Sequence, residues 1–249
     1  ERNVIDGAVA VINLTGVSIA GNRWTRAYKQ QLYDSRILPA GYLNTLIAGA
    51  KTPPSVYIGA SGVGIYGRSA SHPVTEEQVS HDDTFLVKLA RDWEAAHAAI
   101  STSTRVVIPR IGVVLSNDGG FLERLQLPAS LGLYPVFGDG RQILSWIHMD
   151  DLTRFFAWLV EQPDLAGPLN AVAPHPVSYR MFARHYRSAK TRYGVIFGIP
   201  RWIARLVFGE MSDILFDSTN ASAERLLSRG FTFNFPDATG ALQALEAGR

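Results

Sequence analysis

Short β-branched runs alternate with longer amphipathic stretches along this chain. Residues 8–14 form one such run, closed by Thr15 and Gly16, and predict a buried parallel strand. Residues 24–50 predict a long helix with Leu32, Ile37, Leu43, Leu46 and Ile47 toward the core. Pro39 and Gly41 are expected to kink or divide it, and Thr52, Pro53 and Pro54 to stop it. Residues 55–59 predict the next strand, followed by a loop of small residues. Asp83 and Thr84 stand where they can cap a helix over 85–100, whose apolar face is Leu86, Leu89, Ala90, Trp93 and Ala96. Residues 105–108 predict a third strand. Strands and helices alternating in this way define βαβ units with right-handed crossovers.

Beyond Gly112 the pattern loosens. It predicts a helix over 121–133, a turn at Gly138, Asp139 and Gly140, and a short strand over 145–148. A helix follows over 152–161, capped by Asp150 or Asp151 and ended by Pro163, then a strand over 168–172. Residues 178–188, 200–208, 221–228 and 238–247 read as helices. No internal repeat or low-complexity tract is visible.

Composition narrows the class. Of 249 residues, 47% are apolar and 18% charged, which places the chain among globular proteins rather than disordered ones. The net charge of +2 comes with no long basic run and argues against a nucleic-acid binder. With no cysteine, disulfides, thiolate metal sites and a Cys nucleophile are excluded. The six histidines show no metal-ligand spacing. No apolar run reaches the ~18 residues of a membrane span. The chain opens on Glu1, Arg2 and Asn3, without an initiator Met or a signal peptide, and residues upstream are expected.

Several motifs follow one another in a fixed order. They are Asn13-Leu14-Thr15-Gly16, Asn22-Arg23-Trp24-Thr25, Asp34-Ser35-Arg36, the glycine-rich 59–67 loop and Arg91-Asp92-Trp93-Glu94. Pro109-Arg110-Ile111-Gly112, residues 138–142, residues 145–152 and Gly209-Glu210-Met211 continue the series. In this order, over nearly the whole chain, the sequence resembles the epimerase-family proteins of the extended short-chain dehydrogenase/reductase type. The resemblance implies an α/β fold: a Rossmann-like, doubly wound parallel sheet with a smaller C-terminal substrate lobe. Residues 1–172 would form the NAD(P)-binding domain, with 113–149 contributing partly to the lobe, and 173–249 the lobe itself.

The resemblance also implies a dinucleotide, NADP or NAD, at the carboxyl ends of the strands. Leu14, Thr15, Gly16, Arg36, Gly59, Ala60, Ser61, Pro109 and Arg110 are the expected cofactor contacts. For Arg36 an interhelix salt bridge is the competing reading, and for the glycines a purely conformational one. Arg23 and Trp24 either roof the cofactor or pin the following helix. The family's Gly-rich phosphate loop is not found near the start of the sequence.

The superfamily's acid–base pair, a Tyr with a Lys four residues later, is missing from its place. Aligned on Glu94, those positions fall near Leu86 and Ala90, neither of which carries a proton. Tyr186 and Lys190 have the literal spacing but lie in the C-terminal lobe, and their match reads as coincidence. Ser61 and Tyr66 remain the catalytic candidates, with packing beneath the cofactor as the alternative for the Tyr66 ring. On the substrate side, Leu144 stands where extended epimerases carry a phosphate-binding Arg. Arg141, Trp146 and His148 are the substrate candidates, with a turn position the rival for Arg141 and a bond to the backbone or Asp151 the rival for His148.

Two classes of function follow. One is an NAD(P)-dependent oxidoreductase or epimerase acting on an unidentified small molecule. The other is a dinucleotide-binding structural or regulatory subunit without turnover. A homodimer or a larger complex is compatible with either. The expected compartment is the cytoplasm, or a mitochondrion or plastid should a targeting segment precede Glu1.

Overall fold

The computed structural model describes residues 4–248 apart from 79, 81, 101–102 and 191–192, so the opening Glu1, Arg2 and Asn3 lie outside the described residues. The first strand, β1 (Ala10–Asn13), is followed by a single helix, α1 (Arg26–Ala48), and by β2 (Val56–Gly59). Thr25 caps α1 by accepting from the Tyr28 amide. The helix runs unbroken through Pro39, contrary to the expected division. Pro39 removes one backbone donor, yet Leu32, Ala40 and Ile47 are buried on both sides of it and hold the axis together.

Two short strands, β3 (Ser61–Gly62) and β4 (Ser69–Val74), lead to α2 (Phe85–Ala98), capped by Thr84 as its sequence implies. Next come β5 (Arg105–Ile111) and β6 (Val113–Leu115), the helix α3 (Gly120–Ser130), β7 (Leu133–Phe137), β8 (Ile143–Leu144) and β9 (Trp146–His148). Helix α4 (Met149–Val160) and β10 (Gly167–Ala171) complete the sheet-forming part. The remainder is β11 (Val177–Ser178), α5 (Tyr179–Lys190), β12 (Val195–Ile199), α6 (Arg201–Phe208), α7 (Asp213–Phe216), β13 (Thr219–Ala221), α8 (Glu224–Ser228) and α9 (Ala238–Ala247).

The main sheet has the order β1–β2–β5–β10, all parallel, with β3 extending the pairing on β5. It is Rossmann-like, and α1 and α2 pack together as its crossover helices. Strand β1 was expected to be buried, but Ile12 is 44% and Leu14 58% exposed. Among the described residues it pairs with β2 alone, and Asn13 is its one buried residue.

Two large apolar clusters make up most of the core. One joins Leu115, Leu122, Tyr134 and Trp146 to Phe182, Tyr186 and Leu242. The other packs Val56, Ile58 and Val107 against Phe155 and Leu159 of α4, and it also takes in Leu226 and Phe231. Leu226 and Phe231, late in the chain, thus pack with residues of the main sheet. No helix among the described residues is long and apolar enough to cross a membrane.

Candidate dinucleotide site

The carboxyl ends of β1 and β2 lie side by side, with Asn13 in register with Gly59. The loop after β1 is open: Leu14, Thr15 and Gly16 are exposed. Asn13 fixes its start, accepting from the Thr15 amide at 3.0 Å and the Thr15 hydroxyl at 2.6 Å. Beneath Gly16 lies the Arg36 guanidinium, 2.9 Å from where a Cβ on Gly16 would be. Arg36 is 5% exposed and donates to the carbonyls of Val17 and Leu32. Its guanidinium stacks over Trp93 of α2 at 5.0 Å, so the expected interhelix contact is cation–π rather than a salt bridge. No carboxylate pairs with Arg36 among the described residues, and burial pulls its pKa below the usual Arg value. A buried cation with no counter-charge beside an open glycine loop suits an anionic nucleotide.

The loop after β2 is closed. Gly59 and Ala60 are buried, and a Cβ on Gly59 would sit 2.5 Å from the His97 ring. His97 alone is therefore sufficient reason for a glycine at position 59. His97, fully buried on α2, places Nε2 3.1 Å from the Ala60 carbonyl and Nδ1 2.8 Å from the Tyr57 hydroxyl. Tyr57 in turn accepts from Asn13 at 2.9 Å. Burial holds His97 at a pKa of about 4 and pushes Tyr57 up to about 12, so both are neutral near pH 7. One chain of bonds therefore runs from Ala60 to Thr15 and sets the two strand-end loops relative to each other. His97 was missed in the sequence, although it stands seven residues after Ala90, on the same face of α2.

A second buried network lies at the ends of β5 and β10. Arg110 forms a two-pronged ion pair with Glu94, at 2.8 Å from Nε and 2.9 Å from Nη2. Its Nη1 donates to the Tyr66 hydroxyl at 2.9 Å and to the Glu76 carbonyl at 3.0 Å. Ser61 donates to Glu94 at 2.8 Å, and Tyr66 donates to Asn170 at 2.6 Å. The Glu76 carboxylate accepts the Asn170 amide at 2.8 Å. Burial alone would lower the Arg110 pKa, but the Glu94 carboxylate more than offsets this and raises it. Burial also raises the Tyr66 pKa against the opposing pull of Arg110.

The remaining residues singled out in the sequence are placed as follows. The Arg110 donors are bonded inside the protein, and both Arg110 and Pro109 are buried within β5. Tyr66 is 4% exposed, its phenol tied to Asn170 and Arg110, and so it is no free acid. Trp146 is fully buried and donates to the His175 carbonyl. His148, expected near the cap, is the cap of α4 itself: its Nδ1 accepts the Asp150 amide while its ring lies against Phe235. Asp151, fully buried, instead holds the 234–235 turn through the Asn234 and Phe235 amides. Arg141 is an exposed turn residue paired with Asp139. Leu86 lies beside Gly64 and Ala90 is buried, so α2 presents no proton carrier at either position. Tyr186 sits in the distal apolar cluster, and Lys190 pairs with Glu246. Trp24 donates to Ile19 and packs on Phe85, while Arg23 bonds the Leu206 and Val207 carbonyls; both pin structure. Among the described residues, no group of three His, Asp or Glu is placed to hold a metal.

A parallel sheet with its open loops and a buried cation at the strand ends defines a nucleotide-binding α/β protein of the Rossmann type. The description "NAD dependent epimerase/dehydratase family" matches residues 2–195, and a domain of unknown function matches residues 199–245. The chain belongs to that epimerase/dehydratase family. It is 39% identical over 227 residues to epimerase family protein Mb2239 of Mycobacterium bovis, spanning 90% of this chain and 74% of that protein. To epimerase family protein SDR39U1 of Mus musculus it is 32% identical, over 95% of this chain and 82% of that one. The crystal structure of human SDR39U1 with NADPH superposes with a TM-score of 0.92 at 30% identity, covering 97% of this chain and 82% of that chain. A UDP-glucuronic acid 4-epimerase from Bacillus cereus shares the fold, with a TM-score of 0.78 at 16% identity over 96% of this chain and 74% of that one.

Proposed function

We propose that this protein binds NADP(H) over the 14–16 loop and Arg36, and that proton transfer in its site does not run through a Tyr/Lys pair. The observation that carries this reading is the commitment of every hydroxyl near the strand ends. Ser61 gives its proton to the Glu94 carboxylate, so toward a ligand it offers only an acceptor. A ligand hydroxyl or N–H is the complementary group, whereas the usual short-chain dehydrogenase serine donates to a substrate oxygen. When bound, the dinucleotide supplies hydride chemistry. The chain's own part is to hold it against Arg36, with Ser61 buried just past the end of β2 as an acceptor. NADP is favoured over NAD by the NADPH in the similar human structure. The sites of the sugar-nucleotide epimerases argue less for this chain, since Leu144 replaces the phosphate-binding Arg.

The test is a titration of the full-length protein with NADPH and NADH, read by nicotinamide fluorescence, followed by a carbonyl and alcohol substrate screen. Saturable NADPH binding is expected, with any turnover surviving Tyr66→Phe and falling with Ser61→Ala. No binding of either nucleotide overturns the reading. The second class, a non-catalytic subunit, draws on the same committed hydroxyls, and NADPH binding with no turnover on any substrate would select it.

A further inference from the structure

The C-terminal segment carries a surface that the nucleotide site does not use. Strand β12 buries Ile196 and Ile199 partly against the lobe core and turns Val195 and Phe197 outward, 62% and 38% exposed. Its partner residue for Val195 on β7, Leu133, is also exposed at 41%. Helix α6 follows directly. It buries Ala204 and leaves Trp202 at 69%, Leu206 at 71% and Val207 at 54% exposed. Tyr193, just before β12, is 83% exposed. Trp202 and Leu206 are four apart and share one face of the helix, beside the exposed pair Arg201 and Arg205. An apolar set of this size on one continuous segment marks an interaction surface.

Charge identifies the partner. From residue 165 to residue 209 the sequence contains no Asp or Glu and seven Lys or Arg, in a chain whose net charge is only +2. Arg184 and Arg205 are exposed, and Arg187 bonds the Gly194 carbonyl between Tyr193 and Val195. Trp and Tyr at the rim, aliphatic residues between them and Arg on the flanks are what an anionic lipid headgroup layer accommodates. The face is also prebuilt: Arg23 ties the end of α6 to the loop after β1, and Arg201 pairs with Asp213 at 3.0 Å.

We propose that the outward face of β12 and α6 docks peripherally on an anionic lipid bilayer. Sedimentation of the full-length protein with phosphatidylcholine vesicles, with and without phosphatidylglycerol, tests this. Binding is expected only with phosphatidylglycerol, and it should weaken with salt and drop about fivefold for each Arg neutralised in Arg184→Gln and Arg205→Gln. The double substitution Trp202→Glu, Leu206→Glu should abolish binding while leaving the thermal midpoint and NADPH affinity unchanged, since both side chains face solvent. No binding to phosphatidylglycerol vesicles, equal binding to both vesicle types, or full binding by the double variant overturns the proposal. A wild-type dimer that the double variant breaks, with no vesicle binding, assigns the face to a second copy of the chain and likewise overturns it. None of these outcomes depends on nucleotide binding.

Discussion

Gly59 of β2 and His97 of α2 touch so closely that no side chain fits between them: a Cβ on Gly59 would lie 2.5 Å from Cγ and Nδ1 of the imidazole. Gly59→Ala must push the ring off both of its hydrogen bonds or bend the strand. We expect a loss of about 1–3 kcal/mol of stability, the usual range for overpacking a filled core. Urea denaturation of Gly59→Ala beside His97→Ala,Gly59→Ala checks the cause. The double variant should recover part of the steric loss, and a strictly additive result would refute the contact as its source.

The same histidine gives the fold an acid limit. In the folded protein it stays neutral down to about pH 4, because burial penalises the imidazolium. In the unfolded chain it titrates near the ordinary His value of ~6.5. As pH falls, the unfolded state takes up the proton first. The contribution of neutral His97 is therefore full above about pH 6.5 and drains away between there and pH 4, by roughly 3 kcal/mol in all. Stability measured from pH 7 to pH 4 should fall less steeply in His97→Gln than in wild type. Parallel curves would sink the assignment.

Removing the charge from Glu94 should be costly. Glu94→Gln leaves the Arg110 guanidinium, whose side chain is 4% exposed, without its counter-charge. A loss of roughly 3–5 kcal/mol is expected for an orphaned buried partner. Replacing both residues with apolar ones should cost less than the single change, and equilibrium unfolding of the two variants gives the comparison.

Gly16→Leu should separate binding from folding. The new side chain meets the end of the Arg36 side chain, which has room to shift only at the expense of its bonds to the Val17 and Leu32 carbonyls. The positive φ of Gly16 and the displaced Arg36 both cost stability, so the thermal midpoint should fall while the cooperative unfolding transition survives. NADPH affinity should fall by at least about tenfold, the equivalent of one such contact, and unchanged affinity would place the nucleotide elsewhere.

The order of strands and helices was legible because period and turn chemistry are local. Thr84 announces α2, and the runs at 55–59 and 105–108 announce β2 and β5. Pro39 misled because its cost is local while the packing of Leu32 and Ile47 that outweighs it is not. The site was less legible. Ser61, Glu94 and Arg110 come from three elements, and only the folded sheet shows that the serine's proton is already taken. Arg36 was readable as a polar residue near the loop, but not its lack of a carboxylate, which depends on what the other helices bring alongside. Trp146 and His148 look like ligands in sequence because buried polar aromatics and binding residues use the same letters.

The bonds between Ala60 and Asn13 have a polarity that only one arrangement of protons satisfies. A carbonyl can only accept, so Nε2 of His97 carries the hydrogen and Nδ1 is bare. The single Tyr57 proton must then go to Nδ1, and the phenol oxygen is left to receive from Asn13. The amide of Asn13 is thereby prevented from flipping, and its oxygen always faces Thr15. A backbone atom in one loop thus decides, through three side chains, which end of an amide addresses the other. An aspartate at position 13 has no hydrogen to return, and the message would stop there.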